Sequence, residues 1–235
     1  MPVAVVGPLE IELGEYELEE PDGRLVERGR SRDSVHVPLA NTEGGLSISL
    51  YRGARAAAES GGFKTHVLKD RVTRASAFLF DSTADAVSFG RWIDDQLEPM
   101  RDWLAGDPID GLSKHARLRE LETHIVGPTC HVLYAYTTGD AVGMNMITRN
   151  SYALNQGFVL EYAPVKPRRA VLEGNMGGDK KPSHRYFERG GHGKTVIAEC
   201  ALTEEAIRRV LKTTIDDLVD LAFVGTHGAV ASGMQ

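Results

Sequence analysis

ASAFLF (75–80), LETHIV (121–126), HVLYAYT (131–137) and FVLEY (158–162) mark out the part of this 235-residue chain whose reading decides the fold. Short apolar runs bounded by turn residues read as strands, and helical patterns separate the first pair and the last pair. Asp81 or Ser82 caps a helix running to about Trp103, with Val87, Ile93, Leu97, Met100 and Leu104 near helical spacing. Pro99 is placed to kink or break it. A polar connection with a short helix at 114–119 follows, and Gly127-Pro128-Thr129 is a hairpin signal. Asp140 caps a second helix over 141–155, which Gly157 ends. Strand–helix–strand–strand–helix–strand is the split ferredoxin-like (βαββαβ) pattern. The expectation is a small domain over 75–165, flanked by Arg74, Pro164 and Pro167, inserted into a larger α+β domain made of 1–74 and 166–235.

Outward from that stretch, Val3 to Leu18 alternates loosely and carries Gly7-Pro8, which reads as strands broken by a turn. Pro21-Asp22-Gly23 marks a hairpin tip. Thr42 opens a helix with Glu43 in its first turn, and Leu46, Leu50, Ala54 and Ala57 share the face expected to be buried. Gly61-Gly62 stops it. After the small domain, 173–193 reads as a loop rich in glycine and charge, and 195–201 as a strand. A long amphipathic helix capped by Thr203 follows, with Ile207, Val210, Leu211, Thr214, Leu218 and Leu221 on its inner face. The tail from Gly225 has the composition of a packed turn.

Composition narrows the function. A net charge of −6 with no Lys/Arg-rich stripe argues against a nucleic-acid partner. No run approaches eighteen apolar residues, so no membrane span is expected, and MPVAVVGPLEIEL lacks the basic start of a signal peptide. Cys130 and Cys200 read as reduced thiols of a cytoplasmic protein. The eight histidines show no H-x-x-x-H or Cys/His pairing, so no metal is expected.

Three segments can carry chemistry. In GNMGGDKKP (174–182) the glycines let backbone approach a ligand, and Lys180 beside Asp179 is a cation able to polarise a carbonyl. The plain alternative is a solvated turn with charged tips. Glu43, with glycines on its far side, is a general acid or base if buried, and otherwise a carboxylate favouring the helix dipole. GDAVGMNM (139–146) places a strand end, an Asp and a glycine at a helix start, where N–H groups meet phosphate. It is not G-x-G-x-x-G. GGHGKT (190–195) ends like a phosphate-binding loop, but Glu188 stands where that loop needs glycine, and a strand follows. Arg52 and Arg55 can grip phosphate or pair with acids.

Together PVAVVGPL, VPLANTEGGL, YRGARA, VLKDRVTRA, TTGDAVGMNMIT and GNMGGDKKP resemble hydroxymethylglutaryl-coenzyme A reductases, in that family's order and near its spacings. The resemblance covers almost the whole chain. It implies the family's large domain with an inserted ferredoxin-like domain that binds NAD(P)H. By resemblance Glu43 matches the catalytic glutamate and Lys180 the lysine that stabilises the oxyanion. Asp179, Lys181 and Arg74 match substrate-contacting positions, with Asn175 in the same loop, and Arg52 and Arg55 match coenzyme A contacts. Asp140, Gly143 and Asn145 match the dinucleotide loop.

The departures point elsewhere. Glu173 stands where the family has a substrate-binding serine, and Tyr51 where it has asparagine. The family's later catalytic aspartate and histidine have no counterpart before Gln235. The leading expectation is therefore a repurposed, non-redox homodimeric enzyme without a cofactor. It would hold an apolar carbonyl-containing natural-product intermediate and promote cyclisation or isomerisation by confinement. The alternative is an NADPH- or NADH-dependent reductase of an acyl thioester, complete only with a partner subunit. A third possibility is a non-catalytic dinucleotide-binding or scaffold protein.

Overall fold

The structure, a computed structural model, describes residues 2–19, 24–40, 43–106, 108–178, 184–190 and 192–231. The chain divides into two compact units. One comprises Met1–Leu18, Arg24–Leu68 and Val196–Gln235, and the other Lys69–Thr195 with Glu19–Gly23.

In the first unit, β1 (Val3–Glu19) lies beside β2 (Arg24–Ala40) and runs parallel to the start of β3 (Phe63–Leu79), Ile11 facing Phe63. Gly7 does not break β1; its φ of +149° brings the backbone so close to β2 that a Cβ would lie 2.8 Å from the Val35 carbonyl oxygen. The expected tip at 21–23 lies outside the described residues. Helix α1 (Gly44–Glu59) has Glu43 at its N-cap position rather than in its first turn, and Thr42 lies outside the described residues. Its buried side chains are Ala54, Ala56 and Ala57, whereas Leu46 and Leu50 are exposed, so the inner face is the small-residue one.

Thr203 caps the short α7 (Glu204–Ala206), its Oγ1 accepting the Ala206 N–H at 3.2 Å. A π-type turn, Ile207–Leu211, follows and packs on α1, with Ile207 and Val210 buried. Arg209 pairs with Glu59 of α1 at 2.6 Å. The expected single helix is interrupted at Lys212, which adopts a left-handed φ of +62°. Helix α8 (Ile215–Ala231) then buries no side chain and continues through the segment expected to be a turn. No helix among the described residues is long and apolar enough to cross a membrane.

The second unit holds the larger core. The end of β3, where a short strand was expected, pairs antiparallel with β5 (Thr129–Thr137), which pairs antiparallel with β4 (Arg117–Val126). The expected helix at 114–119 is absent; Arg117 already belongs to β4, which bulges between Leu118 and Glu120. Helix α2 (Thr83–Asp94) is capped by Ser82, whose Oγ accepts the Asp85 N–H. The pattern read as one helix breaks at Asp95-Gln96, and Pro99 falls in the first turn of α3 (Leu97–Ala105), where its missing N–H costs no bond. Phe89 packs 5.0 Å from both Phe78 and Phe80, centroid to centroid, and Ile93, Met100, Tyr134, Tyr136 and Leu154 are fully buried with them. Each such side chain contributes about 1.5–3 kcal/mol of burial.

Helix α4 (Met144–Ala153) starts later than expected, with left-handed Gly143 at its N-cap and Asp140 in the exposed bend before it. It passes into a π-type turn, Leu154–Val159, and then α5 (Leu160–Tyr162), so the strand expected at 158–162 is helical. Gly157 does not end the helix. A Cβ there would meet the Trp103 ring at 2.6 Å, so the glycine serves packing. The strand that follows is β6 (Arg169–Val171), antiparallel to β3 with Ala77 facing Val171. Within the expected loop 173–193, residues His184–Arg189 form α6, and β7 (Gly193–Glu199) begins two residues before the expected strand.

Candidate functional site

Arg74 sits on the antiparallel part of β3, opposite Tyr134 of β5. Its side chain is only 12% exposed, and each terminal nitrogen makes one hydrogen bond. Nη1 donates to Glu173 Oε2 at 2.5 Å, and Nη2 donates to Thr148 Oγ1 of α4 at 2.6 Å. Nε is buried with no partner among the described residues.

The segment carrying Glu173 is held from both sides. Ser76 Oγ donates to the Leu172 carbonyl at 3.2 Å, and the Gly174 N–H donates to the Ala75 carbonyl at 2.6 Å. Gly174 leaves no room for a side chain, since a Cβ would lie 2.7 Å from Ala77 Cβ and 2.8 Å from His131 Nδ1. The other Glu173 oxygen accepts the N–H of Asn175, an exposed residue at φ +57°. Beneath this segment runs a buried polar relay: Tyr134 OH donates to Asn155 Oδ1 at 2.8 Å, and Asn155 Nδ2 donates to Ser76 Oγ at 2.9 Å.

The same unit holds the loop before α4. Gly143 at φ +76° could not carry a Cβ, which would lie 2.6 Å from Met146 Cε and 2.9 Å from Thr138 Cγ2. Thr138 Oγ1 donates within the loop, with the Ala141 carbonyl at 2.7 Å. No acidic residue stands in the first turn of α4, which leaves the positive end of the helix dipole unopposed from within. Asp140 and Asn145 are exposed. A glycine turn into a helix start with no acidic residue in its first turn offers backbone N–H groups of the kind that meet phosphate, and the residues present are compatible with a dinucleotide there.

Sequence reasoning missed Lys194 and Thr148. Lys194 Nζ bonds the Gly139 carbonyl and pairs with Asp70, and no local pattern signals either link. It also missed a cleft of about 440 Å3 beside α3 and the start of β4, lined by Leu104, Leu112 and Leu118 with Lys114, Arg117 and the ion pair Arg101–Glu98.

Other expected site residues belong to the first unit or fall outside the described residues. Glu43, Arg52 and Arg55 belong to the first unit and are exposed, and Arg55 pairs with Glu59 at 3.1 Å. Asp179, Lys180 and Lys181 lie outside the described residues. Cys130 is no nucleophile: burial, reinforced by Asp94, pushes its thiol up to about 12. Burial, with the nearby His124 charge, lowers the pKa of His131, whose Nδ1 has no partner among the described residues.

The comparisons bear on the family and the fold. The sequence model of the family described as hydroxymethylglutaryl-coenzyme A reductase matches residues 1–235. The 3-hydroxy-3-methylglutaryl-coenzyme A reductase of Aeropyrum pernix is 35% identical over 91% of this chain and 46% of its own length. That of Pyrococcus horikoshii is 32% identical over 97% of this chain and 52% of its own. The chain thus spans about half the length of the curated relatives it matches. Among solved structures, the class II reductase of Streptococcus pneumoniae bound to NADPH overlays with a TM-score of 0.56 and 15% identity, over 88% of this chain and 47% of that one, a likeness of fold. Six ordered motifs, the α+β architecture and a match along the full sequence converge: this chain belongs to the hydroxymethylglutaryl-coenzyme A reductase family.

Proposed function

We propose that this chain contributes the nucleotide-binding and substrate-gripping parts of an NAD(P)H-dependent reductase acting on an acyl thioester. The observation that carries the reading is the left-handed Gly143 turn at the start of α4, linked through Thr148 to the buried Arg74. The nicotinamide, when bound, supplies hydride. The chain's own residues do the rest. The Gly139–Gly143 loop and the first turn of α4 hold pyrophosphate, and Lys114 and Arg117 in the cleft beside α3 take a further phosphate, which favours NADPH over NADH. Lys180 stabilises charge developing on the thioester oxygen and Glu43 handles a proton, each by its match to the family motif.

In this reading residues 69–195 are the family's inserted ferredoxin-like domain. The neighbour order β6-β3-β5-β4, antiparallel throughout, supports it, with Arg169–Val171 as the closing strand. The protein works as a homodimer, a reading supported by the exposed Leu46, Ile48 and Leu50 on α1. Titrating the full chain with NADPH while following nicotinamide fluorescence tests the function. A saturable change, followed by NADPH oxidation on adding an acyl-coenzyme A, is the expected result; no binding overturns it.

A second reading, a non-redox cyclase or isomerase on the same scaffold, draws on Arg74, whose charge is already met by Glu173 and is not open to an acidic substrate. Consumption of an apolar carbonyl compound without NADPH turnover is its signature.

A further inference from the structure

We propose that Glu173 is a built-in carboxylate occupying the anion-holding end of Arg74, so that the site takes an acyl thioester whose far end is uncharged. This rests on the reading above that Arg74 lies in the substrate site, and it names the substrate class of that site.

The chemistry follows from the guanidinium. An arginine holds a carboxylate best through two parallel N–H donors. Here one N–H of Nη1 is donated to Glu173 and one of Nη2 to Thr148, and Nε is buried. A substrate carboxylate arriving at this arginine meets a guanidinium whose charge is already matched, and stands beside a negative charge already in place. Glu173 cannot swing its backbone away, because Leu172 and Gly174 on either side of it are bonded to β3 and Gly174 is wedged against Ala77 and His131. Its second oxygen is engaged as well, by the Asn175 N–H. The side chain is 48% exposed, so what keeps the carboxylate in place is its pair of bonds, to Arg74 and to the Asn175 N–H. An uncharged acyl end neither competes with it nor is repelled by it.

Two thioesters that differ only in a methyl against a carboxymethyl group, 3-hydroxy-3-methylbutyryl-coenzyme A and 3-hydroxy-3-methylglutaryl-coenzyme A, test this by calorimetry on the full chain. The unsubstituted chain is expected to bind the uncharged acyl group more tightly, by at least about tenfold. Glu173→Gln, which keeps the shape, should erase the preference, and Glu173→Ser should reverse it. Equal affinities in the unsubstituted chain, or a preference that neither variant moves, overturns the proposal. Free glutarate separates it from the coenzyme A reading. If neither thioester binds any form, the proposed function falls and the thioester class with it; that Glu173 blocks Arg74 to anions then stands if glutarate binds Glu173→Ser but not the unsubstituted chain, and is overturned if glutarate fails to bind the variant.

Discussion

Lys194, at the start of β7, donates through Nζ to the carbonyl oxygen of Gly139 across 3.1 Å and lies 3.3 Å from Asp70. The loop that leads into α4 is thereby fastened at its first residue by a side chain 55 positions along. Asp70, only 7% exposed, fixes the ammonium in turn. Lys194→Met should keep the fold and weaken NADPH binding about fivefold, the worth of one net hydrogen bond. Fluorescence titration of the two proteins checks this, and identical dissociation constants would remove Lys194 from the site.

Gly143 supports a stronger expectation. Alanine at φ +76° is strained, and its Cβ would press on Thr138, whose hydroxyl holds the loop together. Gly143→Ala should cost about 1–2 kcal/mol of stability, read from urea unfolding, and should impair nucleotide binding beyond that loss.

The cationic cleft makes a prediction about which nucleotide is used. Lys114→Ala should raise the dissociation constant for NADPH by about fivefold while leaving NADH nearly unchanged, because an ammonium–phosphate contact is worth on the order of 1 kcal/mol at a solvated site. Parallel losses for both nucleotides would place the cleft outside the binding site.

His131 gives the chain a pH dependence with a defined sign. Burial and the His124 charge lower its folded pKa below the ordinary 6.5. Between those two values the unfolded chain binds more protons, so acid favours unfolding. The contribution is complete above about 6.5 and is lost as pH falls through 6.5 toward the folded value. Denaturant midpoints measured from neutral to mildly acidic pH should fall less steeply in His131→Asn than in the unsubstituted chain.

What could be read from the chain depended on whether a signal was local. Ser82, Thr203, Pro99 and the Gly127-Pro128 turn act within a few residues, and the structure uses each nearly as the sequence suggests. The segment 157–162 misled because a short apolar run fits a buried helix as well as a strand; Trp103, more than 50 positions earlier, gives Gly157 its reason. Lys212 breaks a helix in a left-handed conformation that lysine does not advertise. On α1 the expected face is half right: Ala54 and Ala57 are buried, joined by Ala56, while Leu46 and Leu50 at the N-terminal end are exposed. At the site, Glu173 is legible as a departure from the family's serine. That it is docked on Arg74 follows from a pairing 99 positions apart that spacing does not reveal.

The relay from Tyr134 through Asn155 and Ser76 to the Leu172 carbonyl has a consequence for how this protein can diversify. It delivers the rigidity of the core to the backbone immediately before position 173, so the frame does not depend on which side chain projects there. Exchanges at that one place can retune what the protein accepts while folding proceeds as before, and substitutions of Asn155 or Ser76 forfeit that freedom.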